Sequence, residues 1–491
     1  MSGTMNCDVV CWDTETSDTD VRHGQILDFA AVTCSLTDLV ETGSRSVRIR
    51  RLSYCIPAYG ALSTNRLDPY ALDDPERIDE FTAAGAIHEI LSPSRGRPLV
   101  VLGYNILQFD EEMARTLFFR NLLDPYPTSA KGVRRFDLLP AARLAHALDP
   151  AAFPAGLDDV GGPSFRLERI APANGIRLRA HDALEDSRAT LALARRIRDA
   201  VPAAWETALR ASDRYEAERV FDQALFRGEP IWILTGGNTP MLEAVLPVSK
   251  EGRLLLSLRL SKADEAMREG ADATLAADWR DGPLVRCRTN RMPIVLSAAS
   301  ARALETMHPS AFAGPVAEAA VPGRDWTEFR PHLAALAARS DPWENPPAPT
   351  AEERIYLGFT DWAEKDAMSR FRRAESWFER AGMVHAFRDE RVREFAARAV
   401  VEHGGLTPSE MTDAAGETLA EEIAELAGAA LERPFAPDEA RWMTIAKARI
   451  EGQADDRFCT WLDDVATPSI ATPPPAFEIE ADRKGQWGWS F

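Results

Sequence analysis

The chain has 491 residues, 45% of them hydrophobic and 27% charged, the balance of an ordinary folded soluble protein, which excludes disorder along its whole length. At ~100–200 residues per domain, two to four domains are expected. The formal net charge of −19 argues at face value against nucleic acid, but 401–491 holds 7 basic and 18 acidic residues and so carries −11 of it.

The N-terminus, MSGTMNCDVV, has neither the basic region nor the apolar core of a secretion signal. The longest stretch without a charged residue, Leu52–Asn65, is 14 residues long and is broken by Pro57 and Gly60. A bilayer helix needs ~20 apolar residues, so no membrane span is expected; a cytoplasmic monomer is. The six cysteines (7, 11, 34, 55, 287 and 459) complete no zinc spacing and are expected as free thiols.

The first half alternates strand-like and helix-like segments, which predicts an α/β layer structure. Strands are predicted at Asp8–Trp12, Gln25–Thr33, Arg48–Cys55 and Pro98–Tyr104. Helices are predicted at Asp79–His88, Glu111–Asn121, Asp137–Leu148 with Asp137 as cap, and Asp182–Ala200. Pro202 marks a boundary, followed by a helix over 203–226. Short β-rich runs between turn residues fill 230–300 (PIWIL, RLLLSLRL, PLVRC, MPIVL). After a Pro-rich stretch at 341–350, the pattern is helical from Ala351 to about Leu462. The end is an extended tail whose Trp487, Trp489 and Phe491 are candidates for docking.

Three acidic points punctuate the first half. Asp13 and Glu15 close the first strand two residues apart and so project to one face. Asp110 follows the next buried strand in the run Asn105–Asp110, at a helix start. His181 opens the last helix of this half, with Asp186 five residues on. Singly these read as a solvated strand end, a helix cap and a surface histidine. Together, four carboxylates from separate elements can chelate two hard divalent cations, which take oxygen ligands. Two such ions clamp the attacking and leaving oxygens of a phosphodiester, and a neutral His beside them can take the proton of the attacking water.

Asp13, Glu15, Asp110, His181 and Asp186 match the DEDDh superfamily of 3′–5′ exonucleases. The runs at 103–126, 136–139, 163–176 and 180–194 resemble the exodeoxyribonuclease I family, as do the shorter 290–296 and 355–359. The resemblance implies an α/β RNase H-like exonuclease domain, a small SH3-like β-rich domain and a C-terminal helical domain, divided here as 1–201, 202–345 and 346–465, with a tail at 466–491. It implies Mg²⁺ as cofactor, two ions held by the four carboxylates with Mn²⁺ able to substitute, His181 as general base, and Glu15 also beside the 3′ end. Arg115, Tyr126, Arg143, Arg166, Arg214, Asn290 and Arg354 fall on strand-contacting positions. The implied activity is release of 5′-mononucleotides from the 3′ end of single-stranded DNA, in repair and recombination. The implied partner is the acidic C-terminal tail of single-stranded DNA-binding protein, with Arg302 a candidate contact. Pro127–Arg135 lacks the tryptophans the family carries there, leaving Lys131, Arg134 and Arg135 to offer charge instead. Two other readings stand beside this one: the same chemistry on RNA or another 3′ end, and a vestigial site in a nucleic-acid- or protein-binding module.

Overall fold

The computed structural model describes residues 7–93, 97–178, 181–278, 282–319, 323–339, 350–431, 457–458 and 460–461. The first part holds, in chain order, β1 (Asp8–Thr16), β2 (Ile26–Ser35), β3 (Gly43–Arg48), α1 (Tyr59–Asn65), α2 (Glu80–Leu91), β4 (Leu99–Gly103), α3 (Asp110–Arg120), β5 (Val133–Asp137), α4 (Leu138–Leu148), a two-residue pair β6 and β7 (Gly156–Leu157 and Pro163–Ser164), α5 (Leu167–Ala173) and α6 (Ala183–Ala200). Five strands form one mixed sheet in the order β3-β2-β1-β4-β5. β1 is antiparallel to β2 and parallel to β4, but its pairing with β4 stops at Cys11 opposite Leu102. The last residues of β1 thus run past the end of β4, where the sheet leaves room for a ligand.

Capping sets the helix starts: Asp137 accepts a backbone N–H at the first turn of α4, as the sequence predicts, and Asp79 and Asp182 do the same for α2 and α6. The predicted third strand, Arg48–Cys55, is corrected to Gly43–Arg48. Ile49 N–H still reaches Leu27 O of β2, but beyond it the backbone donors leave the ladder: Arg50 N–H goes to Ile78 O, Arg51 N–H to Leu72 O and Leu52 N–H to Gln25 Oε1. The single helix predicted over 203–226 is two, α7 (Pro202–Ala211) and α8 (Glu216–Arg227), broken where the Ser212 hydroxyl bonds back to Leu209 O.

The second sheet comprises β8 (Ile231–Leu234), β9 (Leu242–Glu251), β10 (Leu254–Arg259), β11 (Leu284–Arg288) and β12 (Val295–Leu296), all antiparallel in the order β11-β10-β9-β8-β12. β9 went unread because Pro247 interrupts it; the register with β10 shifts beside that proline. Helices α9 (Ala263–Glu269), α10 (Ala271–Ala276), α11 (Ala298–Met307) and α12 (Arg324–Arg339) accompany this sheet. The last part is helical: α13 (Trp362–Arg373), α14 (Trp377–Met383), α15 (Glu390–Gly404), α16 (Pro408–Ala415) and α17 (Glu417–Leu431). The fold is therefore an α/β domain, a β-rich SH3-like domain and a helical C-terminal domain. The helical part shares a core with the first through Phe81, Phe119 and Leu122, and Phe119 meets Phe395 edge-on at 5.7 Å.

No helix among the described residues is long and apolar enough to cross a membrane. Cys7, Cys11, Cys34, Cys55 and Cys287 are free thiols, as expected. Cys459, most of the Pro-rich stretch (341–349) and the aromatic tail residues Trp487, Trp489 and Phe491 lie outside the described residues.

Candidate active site

The end of β1 turns its carboxylates into a cleft of about 740 Å³. Asp13 is half-buried opposite Ala30 of β2, and Glu15 is buried opposite Asp28. Asp110 reaches the same cleft from the first residue of α3, and its N-cap is Phe109 rather than Asp110 itself. The approach to α3 is tightly built. A Cβ on Gly103 would lie 2.2 Å from Ile106 Cγ2 and 2.9 Å from Trp12 O, so β4 must end in glycine. Asn105 then takes a left-handed backbone (φ +61°), held by its N–H to Asp137 Oδ1 at 2.8 Å. The Thr14 hydroxyl donates to Asp110 Oδ1 at 2.5 Å, linking strand to helix.

Asp186 arrives on α6, which is locked on the sheet by neighbouring Ser187: its hydroxyl donates to Ala30 O, and its carbonyl accepts from Cys11 Sγ. His181 precedes the helix with φ +70°, its backbone N–H donating to Asp186 Oδ2 at 3.2 Å. Ligand oxygens of Asp13, Glu15 and Asp186 all lie within 4.8 Å of one another. Asp110 stands outside that trio but shares the cleft, and its charge acts on Asp13.

Burial pushes all four acids above the ordinary carboxylate range, and repulsion from the other site carboxylates adds to it for Asp13 and Glu15. Glu15 rises to about 8, with Asp186 and Asp28 adding to burial. Asp110 rises to about 7 against the opposing pull of the Thr14 hydrogen bond. Asp186 rises to about 6, moderated by the His181 N–H. Asp13 is raised well above the usual range, by burial and then by Asp110, Asp186 and Glu15. Among the described residues no ion pair neutralises any of the four, and Asp186 Oδ1 is buried without a hydrogen-bond partner. An orphaned oxygen facing two close carboxylates fits a hard divalent cation, which supplies the missing charge.

The seven strand-contact candidates fall into separate groups. Arg143 and Arg166 line the carboxylate cleft. Arg143 lies 5.9 Å from the Phe165 ring centre with its Nε buried and unpartnered, whereas the Arg166 side chain is 80% exposed. Arg214 and Asn290 line a smaller pocket of about 230 Å³ between the first two domains, together with Arg253 and Arg135. Arg115 is buried, with Glu112 at 2.6 Å and Glu111 at 3.4 Å, and packs 5.5 Å from the Tyr126 ring. Arg354 pairs with Glu394 at 3.0 Å and Glu390 at 3.8 Å. In this conformation Arg115 and Arg354 are therefore engaged with protein carboxylates, not open to a phosphate.

The charge expected of 127–135 is likewise largely committed, since Arg135 pairs with Glu111 and Arg134 donates to Leu209 O; Lys131 remains exposed, as does Arg302 on α11. Sequence reasoning missed Phe359, 83% exposed and 5.7 Å from Tyr126, and it missed Asn238, which the β8–β9 connection brings to the carboxylate cleft. Phe359 ends the family-like run 355–359, but neither residue's meeting with its site is visible along the chain, because each comes from a different domain than the site it joins.

No family model matches the chain. It is 29% identical over 261 residues to Exodeoxyribonuclease I of Haemophilus influenzae, covering 50% of this chain and 54% of that protein. It is 26% identical over 306 residues to Exodeoxyribonuclease I of Escherichia coli, covering 59% and 63%. The aligned part thus spans about half to three-fifths of these curated relatives. Its fold is similar to E. coli Exonuclease I in complex with a dA16 oligonucleotide, with a TM-score of 0.72 at 20% identity over 94% of this chain and 98% of that one. The moderately thermophilic Exonuclease I of Methylocaldum szegediense gives 0.70 at 21% identity, again over 94% and 98%. A structure of SSB/Exonuclease I in complex with inhibitor CFAM gives 0.69 at 20%, over the same shares.

Proposed function

From the premise that its curated relatives and its fold are those of the exodeoxyribonuclease I family, we propose that this chain is an Mg²⁺-dependent exonuclease that removes 5′-mononucleotides from the 3′ end of single-stranded DNA. The observation that carries the reading is the meeting of Asp13, Glu15 and Asp186 within 4.8 Å, with Asp110 in the same cleft. These four residues would hold the metal. When bound, divalent ions would neutralise the carboxylates and stabilise charge on the phosphodiester as it reacts.

The chain's own residues do the rest. His181, at the cleft wall and outside the carboxylate trio, accepts a proton from the attacking water. The bond that breaks joins the terminal phosphate to the 3′ oxygen of the preceding nucleotide, so the phosphate leaves on the 5′ carbon of the released unit. Arg143 and Arg166 offer forked donors to strand phosphates at the cleft, and the exposed aromatic Phe359 beside Tyr126 offers a stacking surface. DNA repair and recombination, the domain limits 1–201, 202–345 and 346–465, and docking of the acidic tail of single-stranded DNA-binding protein belong to the same proposal. The SSB/Exonuclease I structure supports the last of these.

The test is nucleotide release from end-labelled single-stranded DNA with Mg²⁺, with EDTA, and with an Asp186→Ala variant. Release by the wild type that EDTA and the variant both abolish is the expected result. Release that survives either treatment contradicts the metal assignment.

A further inference from the structure

Glu15 and His181 border two clefts, not one. The second, of about 530 Å³, shares only these two residues with the carboxylate cleft and is otherwise lined by residues including Arg48, Asn65, Arg66 and Asp68. On the exonuclease reading the strand lies in the cleft of Arg143 and Arg166, and Glu15 and His181, common to both clefts, put the second cleft beside the reacting end.

The wall of that second cleft is tied to the first domain by a few polar contacts: Asn65 Nδ2 donates to Thr16 O at 3.3 Å, Arg51 N–H to Leu72 O, and Arg51 pairs with Asp73 at 3.0 Å. Asn65 ends α1, Arg66 follows in a left-handed backbone (φ +53°), and Asp68 caps a short 3₁₀ turn, Pro69–Asp73. The outer side of the wall is packed and clamped by residues from nearly four hundred positions away. Phe458 and Trp461, 2% and 1% exposed, share an apolar cluster with Leu27, Leu62 and Leu72, and Phe458 packs 5.2 Å from Tyr59. Arg457 donates to both oxygens of Asp68, at 3.0 and 2.6 Å. Trp461 Nε1–H reaches Asp73 Oδ2 at 3.4 Å, and the Arg51 guanidinium lies 5.3 Å from the Trp461 ring centre. Buried aromatic rings are strong anchors. A forked Arg–carboxylate pair at the surface adds little stability but fixes orientation.

We propose that Arg457, Phe458 and Trp461 are positioning residues for the reaction: they strap the Asn65–Asp68 wall and thereby set the seat of the terminal nucleotide beside Glu15 and His181. The inference rests on the exonuclease reading, and the experiment separates the two. Full-length wild type, Trp461→Ala, Arg457→Glu and Arg457→Lys are compared in steady-state degradation of long single-stranded DNA, with thymidine 5′-monophosphate as product inhibitor and thermal melting as a folding control. In Trp461→Ala and Arg457→Glu, kcat is expected to fall about tenfold or more through misplacement of the reacting end. KM for the long strand should stay within about twofold, because the other cleft still grips it. Inhibition by the mononucleotide should weaken in both variants, and Arg457→Lys should restore both readouts. Unchanged kcat and inhibition in both variants overturns the inference, as does activity lost only in proportion to unfolded protein. A wild type that releases no nucleotide overturns the exonuclease reading instead.

Discussion

Thr14 shows how finely the site is built at the residue scale. It sits between two of the carboxylates in sequence and holds a third, Asp110, by its hydroxyl. Groups that orient a metal ligand matter almost as much as the ligand. Thr14→Val keeps the shape and removes the donor, so Mg²⁺-dependent activity is expected to drop by ~10–100-fold with the fold intact, checked by rate and melting temperature. His181→Ala should cost ~10²–10⁴-fold, the usual contribution of a positioned acid–base group.

The raised carboxylates also predict a pH dependence of stability. Between the ordinary range near pH ~4 and the folded values, the folded state keeps protons that the unfolded chain has lost. In EDTA, stability should therefore fall as pH rises above about 4, the Asp186 contribution being lost by about 6 and the Glu15 contribution by about 8. Added Mg²⁺ should oppose the fall most strongly at the alkaline end, and melting curves with and without the ion check this. All four carboxylates and His181 were legible in the sequence because motif spacing carries them. The engagement of Arg115 with Glu111 and Glu112 was not, because spacing along a chain does not reveal which carboxylate a buried guanidinium will find.

At the scale of elements, Asp137 joins three pieces of the site. Its carboxylate accepts from Asn105 N–H and Leu107 N–H in the turn before α3 and from Leu139 N–H at the start of α4. It is 3% exposed, so removing it orphans buried donors. Asp137→Ala is expected to destabilise the chain by about 1–3 kcal/mol and to lower activity by loosening the Asp110 turn, measured by denaturant unfolding. The sequence reveals Asp137 as a cap from its place before an apolar run, but not as the clamp on Asn105, far upstream. Elements with clean patterns, such as α6 and β1, were read within a few residues. β3 and β9 were not: the residues after Arg48 look like a strand yet bond to scattered partners, and Pro247 hides a strand whose register shifts beside it.

Across the whole molecule, the helical domain is bonded to the α/β domain. Arg372 donates to Asn121 O and Phe81 O, both at 2.9 Å, while Phe81, Phe119 and Leu122 enter the shared core. A fragment ending at residue 201 would expose those side chains and should aggregate or melt lower than the full chain, which light scattering and calorimetry would register. The order of an α/β, a β-rich and a helical part was legible from changes in pattern along the chain; how the parts cover one another was not, since those contacts join segments hundreds of residues apart. Substrate and direction of attack are decided by a single degradation experiment. The intact protein is given single-stranded DNA labelled at either end, duplex DNA, and single-stranded RNA of the same sequence, with Mg²⁺. Mononucleotide release is expected to begin at the 3′ label and to be confined to single-stranded DNA. Degradation that begins at the 5′ label, or RNA cleaved as fast as DNA, would contradict it.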